Sequence, residues 1–243
     1  MGAIYKRELL AYFTSPIGYV FTAIFFALSG FCFVNTTISA GSTDTTLYFN
    51  LILIFFVVLI PLLTMKLLSE EKKLGTEQIL MASPVSLVGI ICAKFFAAYT
   101  IFAGTFVVSS LINVYTLYDM AKAQEQIIAK INLPTFFGCM IGILLIGAAF
   151  IAIGIFVSSL TENQIVAAII SIGVFALMIA STAIAMNLNN EVLRVIVKWF
   201  SVMDRFYYFP AGIFDFSALV YYFSITAIFL FLTVRVYEKR RWE

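Results

Sequence analysis

The stretch LYFNLILIFFVVLIPLLTMKLLSEEKKLGTEQILMASP, residues 47–84, joins an uninterrupted apolar run to a short charged segment. The apolar part is long enough to cross the hydrocarbon core of a bilayer, which takes about 20 residues. The charged part, here called the charged insert (residues 69–84), carries glutamates, lysines and a Gly-Thr pair. A loop that only linked two spans would not need a charged turn followed by a second short helix. The insert therefore predicts a docking element for a partner.

The composition of the whole chain is that of a membrane protein. Hydrophobic residues make up 63% and charged residues 12%, and the mean hydropathy is +1.04. Soluble domains carry about 25% charged residues. We therefore expect one all-α polytopic membrane domain over residues 1–243. The net charge of +2 gives no indication of a nucleic-acid partner.

Six apolar runs are predicted to be transmembrane helices, since each reaches the length that a bilayer requires. They cover residues 17–39, 47–68, 87–114, 133–160, 165–186 and 216–236. An even number of spans places both termini on the same side of the membrane.

The distribution of basic residues predicts which side that is, because short cytoplasmic loops are enriched in lysine and arginine. The side with the termini and the insert holds Lys6, Arg7, Lys66, Lys72, Lys73, Lys94, Arg235, Lys239, Arg240 and Arg241. The other side holds Lys122, Lys130, Arg194, Lys198 and Arg205. This bias predicts that the termini and the insert are cytoplasmic.

Two further segments are predicted to be helical without spanning. Residues 3–14 have an aromatic and apolar side and are predicted to lie along the inner leaflet, ending at Ser15-Pro16 because the residue before proline disfavours helix. The alternative is an ordinary cytoplasmic tail. Residues 188–214 are predicted to form outer-leaflet helices, since Glu191, Arg194 and Lys198 share one helix face. The aromatic run at 206–209 that follows is interpreted as an interfacial belt or, alternatively, a substrate gate.

Several function classes lack their usual residues. The chain has no histidine, and its cysteines Cys32, Cys92 and Cys139 are widely spaced, which argues against a metal site or a disulfide framework. Apart from Lys66, Lys94 and Arg235 towards the ends of their spans, the predicted spans contain no Asp, Glu, Lys or Arg, which disfavours an ion-coupled carrier. We predict no catalytic, cofactor or metal site. No G-x-x-x-x-G-K-[ST] sequence occurs, so ATP-driven work would need a separate ATPase.

Within the insert, the residue types predict two short capped helices. Ser69 is predicted to cap a turn that begins with Glu70 and Glu71, because hydroxyls and carboxylates suit a helix N-terminus. Gly75 is predicted to break that turn, Thr76 to cap a second helix, and Ser86 to cap the third span. The alternative is a solvated loop that only obeys the charge bias.

The insert also resembles a known family signature. The string Glu70-Glu-Lys-Lys-Leu-Gly-Thr-Glu-Gln-Ile-Leu, followed by Ser83-Pro-Val85 and Lys94, is similar to the signature of ABC-2 type transporter permeases. Lys6-Arg7-Glu8-Leu9 with Ser15-Pro16 looks like the connecting helix of that family. The segment from Phe216 to Trp242, with its Glu-Lys-Arg-Arg-Trp ending, is similar to the gliding-motility-associated branch of the family.

The resemblance implies a permease subunit of an ABC transporter in the bacterial cytoplasmic (inner) membrane. Residues 70–83 would then be the region that contains the coupling helix. The positions that match the coupling motif are Glu70, Glu71, Gly75, Thr76, Glu77 and Leu80. The implied partners are two copies of an ABC ATPase, which would hold ATP and Mg²⁺, a second permease subunit forming a homodimer, and an auxiliary extracytoplasmic subunit. The alternative function is a membrane scaffold or channel subunit without a coupled ATPase.

The coupling role leads to an expectation for two variants. Gly75→Pro and Glu71→Arg are expected to leave folding intact and to uncouple ATP hydrolysis from transport. Glu70 and Glu71 are expected to contact a basic rim on the ATPase, with Leu80 as the apolar anchor.

Overall fold

The computed structural model describes residues 2–39, 44–77, 86–123, 133–212 and 215–242. The described elements are helical, and α2 continues as a π-helix over Val34–Ile38. The helices are α1 (Gly2–Thr14), α2 (Pro16–Phe33), α3 (Thr46–Thr64), α4 (Ser69–Lys73), α5 (Leu87–Ala123), α6 (Leu133–Leu160), α7 (Gln164–Met186), α8 (Glu191–Phe200), α9 (Met203–Phe206) and α10 (Phe216–Trp242).

Among these residues, six segments are long and apolar enough to cross a membrane, which confirms the predicted number. They are Pro16–Ile38, Thr46–Lys73, Leu87–Asp119, Leu133–Leu160, Gln164–Met186 and Phe216–Arg241. Two helices run further than the apolar runs that predicted them. The third was expected to end at residue 114 and the sixth at 236, whereas α5 and α10 continue to Ala123 and Trp242. A helix satisfies its own backbone hydrogen bonds, so it continues past the point where apolar side chains stop.

Helix α6 forms the centre of the bundle and packs against α3, α5, α7 and α10. Two glycines allow this close approach. A Cβ atom at Gly147 would overlap the Phe102 ring of α5, and one at Gly154 would overlap Thr64 of α3. Because apolar side chains have no solvent-driven reason to associate in lipid, close backbone packing of this kind holds such helices together.

A buried polar network joins the first three spans. The Ser29 hydroxyl lies 2.8 Å from the Tyr48 hydroxyl and 2.6 Å from that of Ser109. The Asn113 amide donates to Tyr48 at 2.9 Å and to Ser29 at 3.3 Å. These side chains satisfy one another, so the spans carry polar groups without a buried charge at this level.

The segment between α7 and α10 contains two short helices, α8 and α9. The apolar side chains of α8 are exposed, including Val192 at 68% and Trp199 at 66%. The aromatic run at 206–209 divides into two pairs. Phe206 and Phe209 are buried, while Tyr207 and Tyr208 are exposed. The belt interpretation was therefore wrong for the two phenylalanines.

The reason lies in the surface of α6. Gly138 and Gly142, one turn apart on α6, face the chain at Phe206 and Phe209, and a Cβ at Gly142 would lie 3.0 Å from the Phe209 ring. The missing side chains open space into which the two rings pack.

Helix α1 packs against α2 and α5. The Tyr12 hydroxyl donates to the Leu63 carbonyl of α3 at 3.0 Å, and the Tyr5 hydroxyl lies 3.0 Å from that of Thr100 on α5. Burial raises the pKa of Tyr12 well above its usual range, so its hydroxyl remains a neutral donor. Ser15 is extended and Pro16 begins α2, as the sequence predicts. This packing brings the charged residues of α1 beside the insert.

Candidate coupling site

The charged insert follows α3 after a short turn. After Thr64 the chain makes a turn over residues 65–68 and then forms α4. Gly75 follows α4 with φ +70°, and its N–H donates to the Lys72 carbonyl at 3.2 Å. Glycine adopts this left-handed conformation at little cost and commonly ends helices. Gly75 therefore breaks the first helix, as predicted. The predicted coupling helix region, 70–83, therefore divides at this glycine, and its residues 78–83 lie outside the described residues.

A serine from α6 holds the turn between α3 and α4. The Ser158 hydroxyl accepts from the N–H groups of Leu68 and Ser69, at 3.2 and 3.1 Å, and donates to the Met65 carbonyl at 3.1 Å. Ser69 was predicted to be the N-cap, but it lies in the first turn and its hydroxyl donates to Met65. The role predicted for Ser69 belongs to a residue 89 positions away. The predicted cap at Ser86 is confirmed, since its hydroxyl accepts from the Gly89 N–H at 3.2 Å.

Replacing Ser158 with alanine is expected to destabilise the fold by about 1–3 kcal/mol, because it leaves buried backbone groups without partners. Ser159→Ala is the matched control, since its hydroxyl donates to the Phe156 carbonyl of its own helix. That control should cost less than about 1 kcal/mol. Denaturant unfolding of both variants in detergent micelles measures the difference. Equal losses would show that the Ser158 hydroxyl does not hold the turn.

Four charged side chains from three helices meet beside α4. The Lys94 ammonium lies 2.6 Å from Glu71 Oε1 and 3.3 Å from Glu8 Oε1. Arg7 lies 2.6 Å from Glu8 and 3.8 Å from Glu71. The Lys94 side chain is 1% exposed, so this cation is withdrawn from water. The cluster ties α1 and α4 to α5, and we call it the four-charge cluster.

Two more ion pairs hold the insert to the bundle. Lys72 lies 3.1 Å from Glu162, in the turn between α6 and α7. Arg240 of α10 lies 3.4 Å from Glu77 and also donates to the Ser159 carbonyl at 2.8 Å. The insert is thus connected to α1, α5, α10 and the α6–α7 turn by charged contacts. Its position depends on the bundle.

The remaining described part of the insert faces outward. Lys73, Leu74, Gly75 and Thr76 are exposed, and Leu74 is 67% exposed. We call residues 73–76 the exposed tip. A single exposed leucine is common on protein surfaces and does not by itself indicate a partner.

The structure separates the six predicted coupling residues. Glu71 and Glu77 have partners inside the chain, Glu70 is half-buried, and Gly75 and Thr76 belong to the exposed tip. Leu80 lies outside the described residues. An ATPase contact for these residues stays a prediction. Glu71→Arg would place a third cation against Lys94 and Arg7, so we no longer expect that variant to fold normally.

Sequence reasoning missed the partners of the insert. Lys94 lies two turns inside α5, and a charged residue in such a position is expected to have a nearby counter-charge. That signal was available, because the acidic residues at the insert and in residues 3–14 were predicted to lie on the same side. Ser158 and Arg240 carried no such signal. Among the described residues, no group of three or more His, Cys, Asp or Glu forms a candidate metal site.

Residues 32–242 match the family model described as ABC-2 family transporter protein. The chain belongs to the ABC-2 transporter family. No curated protein matches the sequence. With six apolar helices, this membership makes the chain a multi-pass membrane protein and a permease component of an ABC transporter. Members of the ABC-2 family generally work with an ABC ATPase subunit. The gliding-motility branch stays a prediction.

Proposed function

We propose that the chain couples ATP hydrolysis by a separate ABC ATPase to the export or flipping of a substrate across the membrane. The observation that carries the proposal is the division of the charged insert. Its tip, residues 73–76, is exposed, whereas its ion-paired residues are anchored to several helices. A partner that binds the tip therefore acts on the whole bundle.

The contacts of the insert define a path by which movement of α4 reaches the other helices. Movement of α4 reaches α5 through Glu71 and Lys94, and reaches α1 through Glu8 and Arg7. The bond network of Ser158 transmits it to α6. The turn at 65–68 separates α4 from α3, so α4 can change its angle to that span while the helices that it contacts follow.

The proposed assembly contains two ATPase subunits and two copies of this permease. The bias of basic residues supports cytoplasmic termini and a cytoplasmic insert in an inner membrane. ATP and Mg²⁺ would bind the ATPase, and this chain would supply no catalytic residue. Helix α7 supports pairing or lipid contact along one side, because Ile165, Ile169 and Leu177 are each more than 60% exposed. An auxiliary extracytoplasmic subunit would add to this core.

Gentle purification of the tagged protein tests the proposal. We expect a P-loop ATPase to co-purify near one copy per permease. Leu74→Asp should weaken this association by about tenfold, because it places a charge at the apolar centre of the contact. Val192→Asp is the control. Val192 is 68% exposed on α8, which follows the end of α7 that lies away from the insert. Reproducible absence of an ATPase, or equal retention by both variants, would favour the scaffold or channel alternative.

A further inference from the structure

The bundle has a second set of contacts between helices at the end opposite to the charged insert. Residues 201–209, here called the outer junction, pack against α6 through two buried rings. A Cβ atom at Gly142 would lie 3.0 Å from the Phe209 ring and 3.1 Å from the Phe206 ring. Gly142 lies towards the start of α6, whereas the insert is held near its end.

Hydrogen bonds join the same junction to two further spans. The Ser201 hydroxyl lies 2.6 Å from that of Thr182 on α7. The Tyr222 hydroxyl of α10 donates to the Val202 carbonyl at 2.9 Å. Ser201, Val202 and Tyr222 are buried, so these bonds are withdrawn from water. The outer junction is thus fixed to α6, α7 and α10.

Helices α6 and α10 each contact both the charged insert and the outer junction. At the insert, Ser158 of α6 binds the turn before α4, and Arg240 of α10 pairs with Glu77. At the junction, the corresponding contacts are made by Gly142 and Tyr222. With a rise of about 1.5 Å per residue, the two contacts lie about 24 Å apart along α6 and about 27 Å apart along α10.

The two helices also support each other between these ends. They pack against each other, and the Phe156 ring of α6 meets the Phe229 ring of α10 edge to face, with centroids 5.5 Å apart. A close-packed interior has low compressibility and transmits strain. A displacement at one end of the pair is therefore carried to the other end.

Helix α8 is the element that is free to respond at the far end. It ends at Phe200, directly before the outer junction, and packs against α7. All of its side chains except Val197 are exposed. Little packing within the described part of the chain therefore opposes a movement of α8.

We infer that α6 and α10 connect the charged insert mechanically to the outer junction, so that a displacement of α4 shifts α8 at the opposite end of the bundle. The connection consists of contacts within this chain. Its use during transport rests on the proposed function, since the ATPase supplies the displacement. Coupling between two sites is reciprocal. A change at the outer junction must therefore also alter the insert.

Hydrogen–deuterium exchange of the full-length permease without an ATPase tests the connection. Phe209→Ala removes a ring from the surface of Gly142 and should raise amide exchange in residues 69–77 by about threefold or more. Phe25→Ala is the matched control, since Phe25 is 1% exposed and packs among the first three spans. An equal rise in both variants would show general loosening and would overturn the inference.

A milder variant keeps the test decisive if Phe209→Ala fails to fold. Tyr222→Phe retains the ring and removes only the hydroxyl that binds Val202, so it should also raise exchange in the insert. Thr226→Val is its control, because the Thr226 hydroxyl donates to a carbonyl of its own helix. Unchanged exchange of the insert in Tyr222→Phe, or the same rise in Thr226→Val, would overturn the inference.

The same measurement on the complex with its ATPase separates this inference from the proposed function. A non-hydrolysable ATP analogue should change exchange in both the insert and α8. In Tyr222→Phe the change in α8 should fall by about threefold or more, while the change in the insert persists. A change in the insert without one in α8 would overturn the inference and leave the proposed function standing. No change in the insert would overturn the proposed function, and the permease alone would still decide whether the connection exists.

Discussion

Replacing Lys94 with methionine is expected to destabilise the protein by about 3–5 kcal/mol, the usual cost of removing one partner from a buried ion pair. Lys94 is 1% exposed and contacts the carboxylates of Glu71 and Glu8. Without its ammonium, two acidic side chains would share only Arg7 from the four-charge cluster. The free energy of unfolding, measured by denaturant titration in detergent micelles, gives the loss.

Two comparisons isolate the charge effect. Lys72→Met removes a lysine whose partner, Glu162, has a side chain that is 65% exposed, and it should cost no more than about 1 kcal/mol. Adding Glu71→Gln to Lys94→Met should recover part of the lost stability, because it removes one of the stranded carboxylates. If the double variant is as unstable as the sum of its single variants, the pair does not act as the geometry indicates.

Replacing Gly75 with proline is expected to reduce the conformational change of the permease on ATP binding by about tenfold or more. Displacing a contact by about 1 Å can cost about 100-fold in rate. Proline fixes φ near −65° and has no N–H, whereas Gly75 has φ +70° and donates to Lys72. No atom of the described residues lies within 4 Å of a Cβ built at Gly75. The bundle should therefore fold while the exposed tip changes direction.

Spin labels at Glu191→Cys in both permease copies of the reconstituted complex measure this response. The distance between the labels should change on ATP binding, and in Gly75→Pro this change should be about tenfold smaller or absent. Gly212→Pro is a closely matched control. Gly212 has φ +71° and its N–H donates to the Phe209 carbonyl at 3.0 Å. No described neighbour lies within 4 Å of its Cβ position. A normal response in Gly75→Pro, or the same loss in Gly212→Pro, would contradict a specific role for the tip.

The ion pair between Glu71 and Lys94 changes the interpretation of the insert. The sequence predicted Glu71 to contact a partner, and its internal pairing with Lys94 makes it part of the connection between the insert and the bundle. The acidic residue attaches the insert, and the residues after α4 form its outward surface. The sequence alone does not show whether a glutamate faces outward or inward. Its orientation depends on neighbours that are distant in the chain.

The sequence alone determined the membrane class and the number of spans, because apolar length and the cost of unpaired backbone groups in lipid leave few alternatives. Local chemistry also determined the break at Gly75, the end of α1 before Pro16 and the cap at Ser86. Each of these depends on residues within one or two turns, so no distant contact was needed to predict them.

Only the tertiary structure decided which side chains hold the charged insert. Ser158 lies 89 residues from the turn that it caps, Arg240 lies 163 residues from Glu77, and Lys94 lies 23 residues from Glu71. Phe206 and Phe209 are buried because glycines of α6 leave room for their rings. Hydropathy and helix period describe single helices, whereas these contacts depend on the distances between helices. The charged insert could thus be recognised from its own residues, but its attachment to the bundle could not.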